Sequence, residues 1–242
     1  MNAKERIFDM TTPKLKVIEE KPDINKVQTC NLLDKSAMSR NLFTKEECER
    51  IIEMGRTWEQ IDAQIQTKNP EAESEKNDDY RNCKMYGPPV DETESWLWIG
   101  QKISTAIYNF NSKDGWKFNL IGMAERPMMM EYEQGGPMHS GGKYDWHIDL
   151  GPSRLASTRK LGFSLFLNDD YEGGEFQFKF ADNKRKGLDK VAHGLKTNTL
   201  TAPVKGVGSV IVFPSYLLHR VKPVTKGTRY SLVVWSLGPP FK

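Results

Sequence analysis

The sequence is poor in cysteine and has no long apolar run. Only Cys30, Cys48 and Cys83 occur, an odd number without the paired spacing of a zinc site. We therefore expect reduced thiols and a cytoplasmic protein. No stretch reaches the roughly 20 apolar residues that a membrane-spanning helix needs. The first ten residues, MNAKERIFDM, also lack the apolar core of a signal peptide. A membrane is thus not an expected partner.

Net charge is small as well, +3 over 242 residues, so the total charge does not require a nucleic-acid partner. The charge is unevenly distributed. Residues 71–94 carry eight acidic and three basic side chains, whereas residues 182–230 carry ten basic and two acidic ones. Two solvated faces are the simplest interpretation, and a basic surface that attracts an anionic substrate stays open.

The composition and the hydrophobic periodicity change along the chain. Residues 1–40 are polar with weak periodicity and predict a partly ordered N-terminal extension. A single domain is predicted over residues 41–242, with helices within 44–110 and a β-rich core over 117–238. Thr44 and Glu47 form a capping-box pattern at the start of the first helix. The polar residues 66–90 are predicted to be loops. After residue 117, short β-rich runs separated by turn residues predict an antiparallel sandwich or barrel.

The run YDWHIDLG, residues 144 to 151, places a histidine and an aspartate two positions apart in a predicted strand. Residues i and i+2 of a strand point to the same face, so His147 and Asp149 would offer two ligands to one point. His219, in another β-rich run, supplies a third. Two histidines and one carboxylate are typical of a non-haem Fe(II) site with open positions. Trp146 and Ile148, which alternate with the ligands, are predicted to be packing residues.

A basic residue completes this set. Arg229 follows His219 by ten residues and begins the run RYSLVVW, where Ser231 lies on the same strand face. A planar guanidinium binds a carboxylate through two hydrogen bonds, and a hydroxyl can add another. We therefore expect a dicarboxylate to be held beside the metal.

These residues, with YEGGEF, FPSYLLHRVKPVTKGTRYSLV and the closing GPP, resemble the prolyl-4-hydroxylase-like branch of the Fe(II)- and 2-oxoglutarate-dependent dioxygenases. The resemblance runs from about Phe43 to the C-terminus. It implies a mostly β fold with flanking helices, a double-stranded β-helix or jelly-roll core. It implies Fe(II), the co-substrate 2-oxoglutarate and O2. The residues it assigns are His147, Asp149 and His219 as iron ligands, Arg229 for the distal carboxylate, and Tyr132, with Tyr144 nearby, for the keto-acid end.

The chain departs from the family pattern at Phe166. Members of the family often have a tyrosine in the strand after the metal motif, and its hydroxyl helps to hold the distal carboxylate. Phe166 stands in the matching stretch LGFSLFLN and has no hydroxyl. Ser231 is the expected substitute for that contact.

The function expected from the resemblance is hydroxylation of an unactivated C–H bond, in a prolyl residue, a free amino acid or another small molecule. One alternative is a β-sandwich that binds a metal or a small acid without turnover. Another is a nucleic-acid demethylase of the same fold, which the basic residues within 182–230 keep open. We expect a small-molecule or peptidyl partner and not a nucleic acid. The sequence predicts neither the substrate nor the oligomeric state.

Overall fold

The computed structural model describes residues 37–39, 41–61, 78–90, 93–112, 115–137, 140–179, 199–203 and 206–240. Two helices lie in this part of the chain, α1 (Lys45–Gly55) and α2 (Thr93–Asn111). The strands are β1 (Ala37–Ser39), β2 (Glu59–Ile61), β3 (Arg81–Asn82), β4 (Lys84–Gly87), β5 (Met128–Glu133), β6 (Lys143–His147), β7 (Arg159–Phe166), β8 (Glu172–Gly173), β9 (Phe176–Lys179), β10 (Thr199–Thr201), β11 (Val210–Pro214), β12 (Leu218–Val221), β13 (Val224–Lys226) and β14 (Thr228–Leu237).

The strands form two main antiparallel sheets. The large sheet has the order β1-β11-β7-β14-β5-β4-β2, and the small sheet has the order β10-β9-β12-β6-β3. Strands β8 and β13 pair separately. From β5 onward the chain passes back and forth between the sheets: β5, β7, β11 and β14 lie in the large one, and β6, β9, β10 and β12 in the small one. This alternation defines a jelly roll, so the predicted double-stranded β-helix with flanking helices is confirmed.

One apolar core lies between the helices and the outer face of the large sheet. Alternate residues of β7 belong to it, Leu161, Phe163 and Leu165, because successive side chains of a strand point to opposite faces. The apolar stripe of α2 packs onto them. Its buried members are Trp96, Ile99, Ile103, Ala106 and Ile107. This core fixes the back of the sheet that carries Arg229.

A second core lies between the two sheets. It takes the intervening residues of the large-sheet strands, such as Met130 and Tyr132 of β5 and Phe213 of β11. Phe176 and Phe178 of β9 come from the small sheet and pack against them. The aromatic filling holds the sheets apart at one end and leaves room for a cavity.

Helix α1 begins as the sequence predicts. Thr44 is its N-cap, with the Thr44 hydroxyl accepting from the Glu47 backbone N–H at 3.2 Å and Glu47 Oε2 accepting from the Thr44 backbone N–H at 2.7 Å. Two donors at the helix start that have no intrahelical partner are thereby satisfied. None of the helices among the described residues is long and apolar enough to cross a membrane.

The predicted loop over residues 66–90 is wrong where the structure describes it. Strands β3 and β4 lie there, and β3 pairs with β6 through Arg81↔Tyr144. Both are short, and their sheet partners come from distant parts of the sequence, so local composition carries little signal for them. Ala37–Ser39, inside the predicted extension, pairs with β11. Residues 1–36 lie outside the described part, and the division at residue 40 stays a prediction.

Candidate metal centre and active site

Two histidines face each other across neighbouring strands of the small sheet. His147 is the last residue of β6, and His219 on β12 is its partner in the antiparallel register. Asp149 lies two residues beyond the end of β6. Its Oδ1 is 3.8 Å from His147 Nε2 and 3.7 Å from His219 Nε2. The ligand atoms of all three residues lie within 4.8 Å of one another, so they surround a single point.

Backbone carbonyls orient both imidazoles. His147 Nδ1 is 2.7 Å from the Asp145 carbonyl oxygen, and His219 Nδ1 is 2.8 Å from the Leu217 carbonyl oxygen. A carbonyl can only accept, so each Nδ1 is a hydrogen-bond donor. Such a second hydrogen bond fixes the ring orientation of a metal-binding histidine. The nitrogen left to bind a metal is therefore Nε2, the atom of each ring that approaches Asp149.

Aromatic rings enclose the two imidazoles. Tyr144 stacks on His147 with ring centroids 3.4 Å apart and planes at 14°, and Phe176 stacks on His219 at 5.3 Å and 11°. Burial, together with the nearby His219, lowers the pKa of His147 well below its ordinary value. His147 is thus neutral near pH 7, the protonation state that binds a metal.

The predicted same-face argument for Asp149 is wrong in its detail, because strand β6 ends at His147. Asp149 reaches the site from the following turn, where its backbone N–H donates to the Ser215 carbonyl at 2.8 Å. Space for the carboxylate exists because residue 162 is glycine. A Cβ there would lie 2.7 Å from Asp149 Oδ2 and 2.8 Å from Phe213 Cζ, closer than real Cβ contacts.

Arg159 supports the same turn. Its Nη1 donates to the Asp149 carbonyl at 3.0 Å, and its Nε donates to Glu125 at 2.6 Å. The guanidinium also lies over the Trp235 ring, 3.8 Å from the ring centroid. One half-buried cation thus links the ligand-bearing turn to the large sheet.

The three ligand side chains line a cavity between the two sheets. The side chains that line it include polar groups from both sheets: Arg81, Tyr132, Tyr144, His147, Asp149, Ser164, His219, Arg229 and Ser231. Apolar residues such as Phe176, Phe213 and Val221 form most of the remaining wall. A concave, mainly apolar space with a few convergent polar groups is typical of a small-molecule site.

Arg229 is a fully buried cation in this wall, with 0% of its surface exposed. Its Nη1 donates to Ser231 Oγ at 2.9 Å, whereas Nε and Nη2 have no hydrogen-bond partner among the described residues. The guanidinium lies 5.2 Å from the Tyr132 ring centroid and 5.1 Å from that of Phe166. A buried guanidinium with two unused donors costs free energy unless an anion satisfies it. Arg229 therefore fits a carboxylate ligand.

The two predicted tyrosines occupy different walls. Tyr132 lies on β5 directly opposite Arg229 in the strand register and is 2% exposed. Burial raises the pKa of Tyr132 and raises that of Tyr144 to about 12, so both hydroxyls remain protonated donors at neutral pH. Tyr132 thus lies next to the Arg229 guanidinium, and Tyr144 stacks on the His147 imidazole.

Arg81 is a cavity residue that the sequence analysis missed. Its guanidinium carbon lies 4.3 Å from the centroid of the Tyr144 ring, on the strand next to β6. No motif contains it, and it falls in the segment predicted as loop. An arginine in a polar stretch gives no signal of burial until the pairing of β3 with β6 is known.

The residues flanking His147 differ from each other. Ile148, predicted to pack, is 44% exposed, because it follows the end of the strand, and this prediction is wrong. Trp146 has Arg220 over its ring, 4.4 Å from the centroid, and is not among the residues that line the cavity. The two histidines not assigned to the metal, His139 and His193, lie outside the described residues.

The fold is a jelly roll whose candidate metal site consists of two histidines and one carboxylate, with the buried cation of Arg229 in the same cavity. Residues 128–237 match the family model of the 2OG-Fe(II) oxygenase superfamily. The range contains every residue assigned to the site from the sequence. This part of the chain is thus similar to the 2OG-Fe(II) oxygenase superfamily, and the resemblance stated from the sequence is confirmed.

Curated relatives point the same way. A PKHD-type hydroxylase of Gloeothece citriformis is 42% identical over 98 residues, which are 39% of this chain and 37% of that protein. "Probable prolyl 4-hydroxylase 9" of Arabidopsis thaliana is 29% identical over 211 residues, 81% of this chain and 66% of that protein. The chain spans only about a third to a half of the length of the PKHD-type relatives.

Solved structures share the fold at low identity. A prolyl hydroxylase from Trichoplax adhaerens, in complex with a peptide fragment of the hypoxia-inducible factor oxygen degradation domain, has a TM-score of 0.59 and 17% identity. The match covers 84% of each chain. A Pseudomonas putida prolyl-4-hydroxylase has a TM-score of 0.56 and 18% identity, over 84% of this chain and 92% of the other.

Proposed function

We propose that this protein is an Fe(II)- and 2-oxoglutarate-dependent dioxygenase that hydroxylates an unactivated C–H bond. One observation carries the proposal: a cluster of two imidazoles and a carboxylate shares a cavity with Arg229, a buried cation whose Nε and Nη2 have no partner. The two imidazoles and the carboxylate suit a metal ion, and the Arg229 guanidinium suits a dicarboxylate. Neither a structural core nor a simple metal site needs both.

His147, Asp149 and His219 would hold the metal. Two neutral nitrogen ligands and one carboxylate on one side leave positions open on the other, the arrangement found in non-haem Fe(II) oxygenases. The Nδ1 hydrogen bonds keep both rings aimed at the metal before it binds. The apolar wall beside them excludes water from the reacting groups.

Arg229 would bind the distal carboxylate of 2-oxoglutarate, with Ser231 holding Nη1 in place. Ser231 is opposite Phe166 in the register of β14 and β7, so its hydroxyl lies where the phenylalanine provides none. Tyr132, beside Arg229, is the proposed contact at the keto-acid end, and we keep Tyr144 as a second candidate. With Fe(II) and 2-oxoglutarate bound, such a site couples O2 consumption and decarboxylation to succinate with oxygen insertion into a C–H bond.

A prolyl residue or a free amino acid is the proposed substrate. Support comes from the hydroxylase names of the relatives and from the peptide bound to the Trichoplax adhaerens protein. The alternative of a β-sandwich without turnover is not favoured, because both the ligand set and the co-substrate residues are present. A nucleic-acid demethylase is not favoured either, since the relatives carry the names of PKHD-type and prolyl 4-hydroxylases. We keep the cytoplasm as the proposed compartment, supported by the free thiols of Cys48 and Cys83.

The decisive experiment measures 2-oxoglutarate affinity by calorimetry, with Mn(II) in place of iron to prevent turnover. Losing a buried charge-assisted contact costs about 2–5 kcal/mol, so Arg229→Ala should bind 2-oxoglutarate about 30-fold to several thousand-fold more weakly. Arg229→Lys keeps the charge but cannot form the paired hydrogen bonds of a guanidinium, so its 2-oxoglutarate affinity should lie between those of the wild type and Arg229→Ala. Ser231→Ala should cost about 0.5–1.5 kcal/mol.

Arg56→Ala is the matched control, because Arg56 is an exposed arginine over the ring of Tyr230, the residue next to Arg229. It should leave the 2-oxoglutarate affinity unchanged. If Arg229→Ala retains its metal and binds 2-oxoglutarate as tightly as the wild type, the arginine is structural and the proposed co-substrate is wrong.

A further inference from the structure

A second guanidinium lines the metal cavity without an acidic partner. Arg81 Nη2 donates to the thioether sulfur of Met85 at 2.7 Å, and Nε is buried with no partner. The Cys83 thiol, which also hydrogen-bonds to Arg81, the hydroxyls of Tyr132 and Tyr144 and the imidazole of His147 lie near it, and none of them is a carboxylate. Within the described part of the chain, no hydrogen bond or ion pair joins Arg81 to a carboxylate. A thioether is a weak acceptor, so the cation is poorly satisfied.

The charges of the loaded site do not balance without a further anion. Asp149 contributes −1 and Arg229 +1, and both histidines are neutral donors to the metal. Fe(II) with +2 and 2-oxoglutarate with −2 cancel each other. The sum is zero before Arg81 is counted and +1 after it. Arg81 is partly buried and its Nε is withdrawn from water, so a ligand that brings one negative charge is the natural complement.

We propose that Arg81 binds a carboxylate of the primary substrate, which makes this enzyme a hydroxylase of acidic substrates. The inference rests on the proposed function above and adds the substrate class. A carboxylate matches the Nε–Nη2 edge of a guanidinium with two parallel hydrogen bonds, and it would replace the weak contact to Met85. Stacking on Tyr144 holds the plane of the guanidinium against the His147 side of the cavity. The reacting C–H bond would thus be positioned relative to this carboxylate.

Acetate is the simplest probe of such a subsite. We would load the protein with Mn(II) and saturating 2-oxoglutarate, so that Arg229 is occupied, and titrate carbon-13 acetate. Saturable paramagnetic broadening of the carboxylate signal reports binding near the metal. Wild type should show it, and Arg81→Gln should bind acetate about thirtyfold more weakly. Arg81→Lys, which keeps the charge, should lie between the two and guards against a folding defect in the glutamine variant.

Arg220→Gln is the matched control. Arg220 also lies over an aromatic ring of β6, 4.4 Å from the Trp146 centroid, but it does not line the cavity. Its variant should bind acetate as the wild type does. Direct binding of acetate to the metal would persist in Arg81→Gln and in Arg81→Lys, so unchanged binding in both variants overturns the proposal. Absence of saturable acetate binding in the loaded wild type overturns it as well.

Two acid–amide pairs then distinguish the source of the carboxylate. L-Proline against L-prolinamide tests a free amino acid. Acetyl-Ala-Pro-Asp-amide against acetyl-Ala-Pro-Asn-amide tests an acidic peptide. A preference for the acid in either pair, lost in Arg81→Gln, supports the proposal and identifies the source, whereas no preference in either pair counts against it. If the wild-type protein with Mn(II) does not bind 2-oxoglutarate, the proposed function itself is wrong. If it binds 2-oxoglutarate normally but shows no preference for the acid in either pair, only the proposed role of Arg81 is wrong.

Discussion

His147 and His219 are direct cross-strand partners, and their ring centroids are 4.1 Å apart. Directly opposed residues of an antiparallel pair share one face of the sheet, so the two imidazoles meet there, next to a shift of register between His219 and Val221. Each ring is then fixed by the backbone carbonyl two residues earlier in the sequence. Two-thirds of the ligand set is therefore determined by sheet register alone.

The first prediction follows from that geometry. Replacing either histidine by alanine removes a ligand but keeps the strand pairing, so the fold should survive while Fe(II) binding is lost. Anaerobic titration of the wild type with Fe(II) and 2-oxoglutarate should give a weak visible charge-transfer band, absent in His147→Ala and His219→Ala. Trp146→Phe, a change beside His147 outside the cavity, is the control and should keep the band. A band that persists in both alanine variants would refute the metal assignment.

Gly162→Ala should weaken metal binding although it replaces none of the three proposed ligands. The added Cβ would overlap Asp149 Oδ2 and the Phe213 ring, so the carboxylate must move from its position. Changes that disturb the support of a ligand typically cost about 10–100-fold in metal affinity. Competition with a chelator, followed by Mn(II) titration, measures the change.

The matched control for Gly162 is Gly100→Ala in helix α2. A Cβ at Gly100 meets its nearest atom at 3.7 Å, an ordinary contact. That variant should keep its metal affinity and gain about 0.5–1 kcal/mol of stability, because alanine favours the helix. Equal metal affinity in both alanine variants would contradict the crowding of Asp149.

Arg159→Met should loosen the turn that carries Asp149. The variant loses the bonds to the Asp149 carbonyl and to Glu125 while keeping an apolar contact with Trp235. Because the ion pair is only partly exposed, we expect about 1–3 kcal/mol lower stability. Metal affinity should fall as well.

Glu125→Gln is the control. It removes the same ion pair but keeps the hydrogen bond from Arg159 to the Asp149 carbonyl, so it should lose stability with a smaller effect on metal affinity. Thermal unfolding with and without Mn(II) separates the two effects, and equal metal affinity in both variants would exclude a positioning role for Arg159.

Thr44→Ala tests a stability contribution far from the site. Losing the N-cap hydroxyl of α1 should lower the free energy of unfolding by about 1 kcal/mol, measured by denaturant titration. Thr105→Ala is its control, because that exposed hydroxyl only bonds to the Gln101 carbonyl within helix α2. It should be neutral or stabilising. A loss of equal size in both variants would mean that the capping box contributes nothing specific.

Short-range patterns predicted the parts of the site that depend on strand geometry or helix caps. The capping box and the Arg229–Ser231 pair each follow from residues two or three positions apart. His219 lies 72 positions after His147, and its residue type and β-rich surroundings indicated it. The role of Ile148 was predicted wrongly, because alternation holds only within a strand and β6 ends at His147. Arg81 was missed for a related reason. Its burial comes from pairing with a strand about 60 residues away, and a two-residue strand has no periodicity of its own.

The metal ligands belong to the small sheet and its following turn, whereas Arg229, Ser231 and Tyr132 belong to the large sheet. Iron alone therefore ties together neighbours within one layer. A keto acid that contacted both the metal and Arg229 would connect the two layers. On the proposed function, co-substrate binding would therefore restrain the two sheets relative to each other in the same step that completes the site.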